Sequence, residues 1–177
     1  MQIIFRPIEH RFYDPNKEIE VQSVSITDID AVSATANIGG FVPLRSIAYE
    51  YGWDTKILKV AVKECNERGE VVILNQLKPT LFLVPKNKDK SNTLFYITDL
   101  LNAMNHLDIK TVRFTHHFFL FGNLREDEIP TILEVMLNPL TKSTLKKVIW
   151  DIDTRQELQM TKLYLGIKSR LRLSNEA

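Results

Sequence analysis

Cysteine is almost missing from this chain, since Cys65 stands alone among 177 residues. One thiol cannot form a disulfide within the chain, and such sparse use of cysteine suits a reducing compartment. No apolar run approaches the roughly 20 residues that a membrane-spanning helix needs. The first apolar run, Met1–Phe5, meets Arg6 and Pro7 too soon to be the core of a signal peptide. We therefore expect a cytoplasmic protein with no membrane partner.

An excess of charge is also missing. The 23 basic and 22 acidic side chains leave a formal charge of +1, whereas tracking a nucleic-acid backbone requires a clear surplus of positive charge. Nucleic acid is therefore not an expected partner. The apolar fraction of 44% is ordinary for a soluble globular protein. The length fits one domain over residues 1–177, with room for an extra element at one end.

Glycine is scarce as well, with six in the chain, and two of them are adjacent, Gly39 and Gly40. The small and β-branched run Val32–Thr35 precedes them and is typical of a buried strand. Asn37 follows that run, and helical spacing of apolar residues begins after Pro43. A strand, a glycine turn and a helix in succession bring a polar side chain and exposed backbone N–H groups to the carboxyl edge of a sheet. Open α/β folds bind anionic ligands at that edge.

Strand and helix patterns alternate along most of the chain, which predicts a layered α/β domain with a largely parallel sheet. Besides Val32–Thr35, the predicted strands are Gln2–Phe5, Glu18–Ile26, Glu70–Leu74, Thr80–Val84, Lys110–Phe114 and Lys147–Ile152. The near-continuous apolar runs Glu70–Leu74 and Thr80–Val84 are typical of strands covered on both faces of a sheet. The predicted helices begin near Pro43, after Asp54, after Ser91 or Asn92, and near Arg125.

The second predicted helix ends at Gly69. Its apolar side is expected to comprise Ile57, Val60, Ala61 and Cys65, which makes the cysteine a core residue rather than a nucleophile.

The end of the chain, residues 154–177, carries apolar residues at helical spacing and an excess of basic side chains. This pattern predicts a C-terminal helical extension that docks on the domain. A basic contact surface for a protein partner is the alternative interpretation of the same helix.

Two stretches resemble the macro domain, the ADP-ribose-binding module. Asp30-Ala31-Val32 and Ala36-Asn37, followed by Gly39-Gly40, match the signature strand D-A-I-V-N-A-A-N and the start of its glycine-rich loop. Asn66–Leu74 reads N-E-R-G-E-V-V-I-L, where the family carries G-E-V-V-I-T. The resemblance covers roughly residues 18–153. It implies a three-layer α/β/α fold in which a central mixed sheet has helices on both faces, here with an added C-terminal helix.

The resemblance also implies the ligand, ADP-ribose or an ADP-ribosylated substrate, with no cofactor and no metal ion. Asn37 would hydrogen-bond the distal ribose, and Gly39, Gly40 and Phe41 would line the first loop. A polar residue at a strand end also caps the turn that follows, so both interpretations of Asn37 stay open. The adenine-binding Asp of the family would be Ser25 here or be replaced by Asp28.

The second ligand loop of the family corresponds to the stretch T-H-H-F-F-L-F-G-N, residues 115–123. The chain looks closest to the branch with a short G-x-G second loop, which includes enzymes that remove ADP-ribose from glutamate or DNA bases. Phenylalanines replace most of the glycines, and Phe121, Gly122 and Asn123 are expected to line this loop. His116 and His117 are adjacent and would point to opposite faces of a strand, so we expect core or strand-end histidines rather than a shared site.

Enzymatic activity stays an open question at this stage. The branch uses a lysine after the fifth strand together with an acidic residue in the second loop. Lys86 or Lys88 could fill the first role, and no acidic residue precedes Arg125 in the second loop. The reaction implied for a catalytic member is hydrolysis of an ADP-ribosyl bond, with Asn37 orienting the ribose and a bound water attacking. The alternative is a macro-fold protein that has lost the nucleotide and acts by contact with a protein partner.

Overall fold

The computed structural model describes residues 1–8, 28–36, 43–85, 93–115, 129–153 and 157–176. The strands within these ranges are β1 (Gln2–Ile8), β2 (Ala31–Thr35), β3 (Val72–Leu74), β4 (Thr80–Val84), β5 (Thr111–Phe114) and β6 (Lys147–Asp153). The helices are α1 (Pro43–Tyr51), α2 (Thr55–Arg68), α3 (Thr93–His106), α4 (Ile129–Leu137) and α5 (Glu157–Glu176). A 3-10 turn occupies Pro139–Thr141.

The six described strands form one mixed sheet in the order β1-β6-β5-β2-β4-β3. All neighbours pair in parallel except β3, which runs antiparallel to β4. In this register Ser33 of β2 lies opposite Phe114 of β5, which in turn lies opposite Trp150 of β6. The predicted mixed, largely parallel sheet is therefore confirmed.

Successive strand residues point to opposite faces of the sheet, and helices cover both of these faces. Leu81 and Leu83 of β4 pack with α1 and α2, whereas Phe82 and Val84 pack with α3, α4 and α5. These two cores confirm the three-layer α/β/α fold that the resemblance implied.

Helix α5 is the added C-terminal helix, and it packs into one of these cores through Met160, Tyr164 and Ile167. The Tyr164 hydroxyl accepts a hydrogen bond from the backbone N–H of Ile3 (3.4 Å), and the Tyr164 ring meets Phe5 edge-on. The last helix therefore fastens the edge strand β1 to the domain. In the part of the chain that the structure describes, no helix is both long and apolar enough to cross a membrane.

Helix α2 begins and ends where its sequence signals place the boundaries. The Asp54 carboxylate accepts a hydrogen bond from the N–H of Lys56 (2.9 Å) and caps the helix. Gly69 lies at a φ of 65° and donates its N–H to the carbonyl oxygen of Cys65, the usual left-handed termination of a helix.

The predicted apolar side of α2 is partly wrong. Val60 is 68% exposed and Ile57 is also exposed, whereas Leu58 is buried beside Ala61 and Cys65. Ile57 and Leu58 both stand at helical spacing from Ala61, so the pattern alone does not decide between them. The rotation of α2 on the sheet selects Leu58.

The expectation that Glu70–Leu74 is a strand covered on both faces is also wrong. The strand is shorter, Val72–Leu74, and it lies at the edge of the sheet. Ile73 is accordingly exposed, while Leu74 packs inward.

Three other predictions fall outside the described residues. They are the strand Glu18–Ile26, the caps Ser91 or Asn92, and the start of a helix near Arg125.

We predict that Gly69→Ala lowers the free energy of unfolding by about 1 kcal/mol, because an L-residue with a side chain is strained in the left-handed region. A Cβ at this position would meet no heavy atom within 4 Å, so no steric clash adds to the effect. The matched control is Gly166→Ala in α5, where a Cβ is equally uncrowded. Alanine should there stabilise the protein by about 0.5–1 kcal/mol. Urea unfolding measures both, and a shift of the same sign in both variants would contradict the prediction.

Candidate functional site

The residues proposed to carry function lie almost entirely outside the described ranges. Asp28 is the exception, and it is exposed ahead of β2. The candidates that lie outside are Ser25, Asn37, Gly39, Gly40, Phe41, Lys86, Phe121, Gly122 and Asn123, together with Lys88, His116 and His117.

The residues directly before Asn37, Lys86 and His116 are described, and hydrogen bonds hold Ala36 and Thr115 in place. Ala36, just before Asn37, donates its N–H to the carbonyl oxygen of Val84 (2.8 Å). The carbonyl oxygen of Ala36 accepts from the side-chain amide of Asn66 (2.9 Å). Thr115, just before the segment 116–128, donates its N–H to the carbonyl oxygen of Ser33 (3.1 Å). Both points of departure are therefore fixed.

These fixed points share one edge of the sheet. Strands β4, β2 and β5 are neighbours and run parallel, so their carboxyl ends meet at the same edge. Ala36 follows β2, Pro85 follows β4 and Thr115 follows β5. The chain therefore leaves this edge three times in adjacent positions, directly before Asn37, Lys86 and His116.

Asp30, which belongs to the matched signature, holds the opposite end of β2. Its carboxylate accepts hydrogen bonds from the backbone N–H groups of Lys110 (2.9 Å) and Thr111 (3.0 Å). Asp30 therefore joins the starts of β2 and β5. Its role in the described structure is to set the pairing of the two strands that lead to the candidate residues.

A buried ion network lies between α1 and the sheet, and it was not predicted from the sequence. The Arg113 guanidinium donates through Nε to Asp151 (2.9 Å), and through Nη1 to Glu50 (2.9 Å) and the Tyr51 hydroxyl (3.1 Å). The side chains of Arg113, Glu50 and Asp151 are 6%, 7% and 2% exposed. Arg6 completes the network with its Nη1 3.9 Å from Asp151 Oδ1. The available signal was a charged residue inside each of two apolar strands, T-V-R-F and V-I-W-D-I.

Burial and charge act against each other in this network. Burial would lower the pKa of Arg113, but the carboxylates of Asp151 and Glu50 outweigh it and raise that pKa. Burial raises the pKa of Asp151 above its ordinary value, and the neighbouring Arg113 and Arg6 oppose the shift. The pKa of Tyr51 is likewise raised by burial, against the attraction of Arg113. The guanidinium therefore stays charged, and it keeps two desolvated acidic groups compensated.

Cys65 is a core residue, as the sequence analysis proposed. It is fully buried, and its thiol donates to the carbonyl oxygen of Glu70 (3.2 Å). Burial raises the pKa of Cys65 to about 12, so the reactive thiolate is scarce at neutral pH. Within the described ranges, no three His, Cys, Asp or Glu side chains are grouped so as to hold a metal ion.

Comparison with known proteins identifies the fold. No family model matches the sequence, and no curated protein matches it. Among solved structures, the macro domain of GDAP2 has a TM-score of 0.60 at 12% identity, over 92% of this chain and 82% of that one. The macrodomain of Mycobacterium tuberculosis DarG has a TM-score of 0.53 at 12% identity, over 84% of this chain and 97% of that one. A mutant of the Oceanobacillus iheyensis macrodomain has a TM-score of 0.50 at 14% identity, over 83% of this chain and 87% of that one.

The three-layer α/β/α fold, in which β4, β2 and β5 share one carboxyl edge, is thus the macro domain architecture. At 12–14% identity these likenesses show that the chain has the macro domain fold.

We predict that Arg113→Met destabilises the protein by about 3–5 kcal/mol, because Glu50 and Asp151 lose their main counter-charge while they stay buried. A buried carboxyl whose folded-state pKa is raised stabilises the fold below its unfolded-state pKa, and that contribution is lost as the pH rises through the folded value. The difference in the free energy of unfolding between Arg113→Met and the natural protein should therefore be smaller near pH 5 than near pH 8. Urea unfolding at both pH values measures it.

The control for this variant is Arg68→Met, which removes an exposed ion pair with Glu64 (3.1 Å) on α2. Such a pair contributes a few tenths of a kcal/mol, and its loss should vary little with pH. If Arg113→Met lowers the free energy of unfolding no more than this control does, the buried carboxylates do not depend on Arg113 for their stability.

Proposed function

We propose that this chain binds ADP-ribose, free or attached to a substrate, at the carboxyl edge of β2 and β5. The observation that supports the proposal most strongly is the adjacency of Ala36 and Thr115, each held by backbone hydrogen bonds at that edge. Asn37, Gly39 and Gly40 follow the first anchor, and the segment with Gly122 follows the second. Two glycine-bearing segments that leave neighbouring strands suit an elongated ligand lying across both.

The residue types suit the parts of this ligand. ADP-ribose carries an anionic diphosphate, and backbone N–H groups near glycine can approach it closely. Helix α1 begins at Pro43, and its amino end favours negative charge nearby. We assign the Asn37 amide to the distal ribose, Phe41 and Phe121 to the walls around the sugar, and Asn123 to the second segment.

Ser25 or Asp28 would bind the adenine amino group, and we assign Ser25, because Asp28 lies ahead of β2 at the strand end opposite to Ala36. Asp28 is exposed ahead of β2.

The catalytic form of this proposal is hydrolysis of an ADP-ribosyl bond. Asn37 would orient the ribose while water attacks its anomeric carbon and the bond to the modified group breaks. Lys86 directly follows Pro85, which is buried at the end of β4, beside the strand that leads to Asn37. The position of Lys86 next to the strand before Asn37 supports it as the second candidate catalytic residue.

A second candidate function is contact with a protein partner through α5. Leu158 and Leu165 of this helix are 68% and 56% exposed, and their separation of seven residues puts them on one side. Lys162 lies between them and is also exposed. An apolar pair with a basic centre on the side away from the core suits an acidic partner surface with apolar positions of its own.

Isothermal titration calorimetry with ADP-ribose tests the first proposal. We expect micromolar binding to the natural protein and its loss in Asn37→Ala and Gly40→Glu, which remove the ribose contact and crowd the diphosphate. The matched controls are Asn102→Ala, at an exposed position of α3, and Gly166→Glu, at an open position of α5. Both controls should bind like the natural protein.

Absence of heat at millimolar ADP-ribose would refute the binding proposal and favour the partner function. Loss of binding in the control variants as well would remove the assignment of Asn37 and Gly40.

The catalytic form has its own test, release of ADP-ribose from a peptide ADP-ribosylated on glutamate, followed by mass spectrometry. Lys86→Ala should slow release while ADP-ribose still binds, because the residue is assigned to the reaction and not to the ligand's affinity. The control is Lys56→Ala, at an exposed position of α2. Binding without any release by the natural protein would limit the function to ligand recognition.

A further inference from the structure

We propose that Arg113 is a positioning residue, which sets the location of α1 relative to β5 and thereby the distance from Pro43, where the first segment of the proposed ADP-ribose site ends, to Thr115, after which the second begins. This inference rests on the proposed function for its effect on the ligand, whereas the geometric part can be tested without a ligand.

The first support is the direction of the contacts. Glu50 and Tyr51 are the last two residues of α1, and Arg113 is the third of the four residues of β5. One guanidinium nitrogen, Nη1, donates to both of them, at 2.9 Å and 3.1 Å, while Nε donates to Asp151 of β6. The fork of the guanidinium is rigid and planar. It therefore fixes α1 at a set distance from two strands at once.

The second support is the contrast with the rest of the α1 interface. Leu44, Ile47 and Ala48 bury the other side of α1 against Val32 and Ala34 of β2 and against β4. Apolar burial is non-directional, so it keeps α1 on the sheet without specifying how far it stands along the strands. The directional contacts to Arg113 determine the position of α1 along the strands.

The third support is the position of the network in the chain. Helix α1 starts at Pro43, directly after the segment 37–42 that follows Ala36. Nine residues make a helix about 13 Å long, which moves as a rigid rod. A displacement at Glu50 is therefore carried to Pro43. Arg113 itself is two residues before Thr115, the anchor of the other segment, so one side chain relates Pro43 to Thr115.

A merely stabilising ion network makes a different prediction. Buried ion pairs can often be replaced by apolar residues without loss of stability, and a contribution to stability alone would leave the position of α1 and the ligand affinity unchanged in any variant that folds. Glu50 is the side chain to vary, since Arg113 keeps its partner Asp151 when Glu50 is replaced.

Two variants separate these possibilities. Glu50→Leu removes the carboxylate contact with Nη1 while it keeps similar side-chain bulk and leaves the Tyr51 hydroxyl contact in place. Glu50→Gln keeps an acceptor oxygen for Nη1 at the same reach. Spin labels are attached to Tyr49→Cys on the exposed side of α1 and Asn102→Cys on α3, across the sheet. The natural Cys65 is buried and its raised pKa keeps it unreactive.

We expect the label-to-label distance distribution to shift or broaden in Glu50→Leu and to stay as in the natural protein in Glu50→Gln. The dissociation constant for ADP-ribose should rise about tenfold or more in the first variant and stay within about twofold in the second. An unchanged distance distribution in folded Glu50→Leu overturns the proposal, whatever happens to the melting temperature.

Two outcomes need a separate measurement. If Glu50→Leu does not fold, Glu50→Asp replaces it, because it keeps the charge and shortens the side chain by one methylene. The distance should then change, and an unchanged distance again overturns the proposal. If the natural protein binds no ADP-ribose, the proposed function fails, while the label distances still decide whether Arg113 positions α1.

Discussion

The position of α1 in this domain depends on one buried cation. Arg113 joins the last turn of α1 to two central strands through contacts of 2.9–3.1 Å with Glu50, Tyr51 and Asp151. Desolvating such groups is unfavourable unless each charge finds its partner, so the network is stable only with the helix in one place. The apolar cores determine which layer each helix joins, and the ion network determines where α1 stands within its layer.

The second constraint comes from the order of the strands. Because β2 lies between β4 and β5 and runs parallel to both, three chain segments depart from neighbouring points on one edge. Asp30 sets the pairing at the far end of β2, and backbone hydrogen bonds hold Ala36 and Thr115 at the near end. These hydrogen bonds therefore hold the last described residues before Asn37 and His116 at one edge of a macro-type sheet.

Much of this architecture was predictable because its signals are local. Asp54 and Gly69 bound α2 as their capping chemistry requires, and the stretches around Asp30 and Glu70 together indicated the macro resemblance. The errors have a common cause. Helical spacing did not distinguish Leu58 from Ile57, and the apolar run at Val72 did not reveal an edge strand. Both answers depend on which neighbour covers the residue, and local periodicity does not contain that information.

The same distinction between local signals and contacts distant in the chain applies to the candidate site. The sequence by itself determined the order of the described strands and helices, the boundaries of α2, and the residue types that follow β2 and β5, because each depends on neighbours only a few positions away. The tertiary structure alone decided that Arg113 meets Glu50 and Asp151, which are 63 and 38 positions away in the chain. Such pairing follows from the order of strands in the sheet and from the side on which α1 packs, and both arise only when the whole chain has folded.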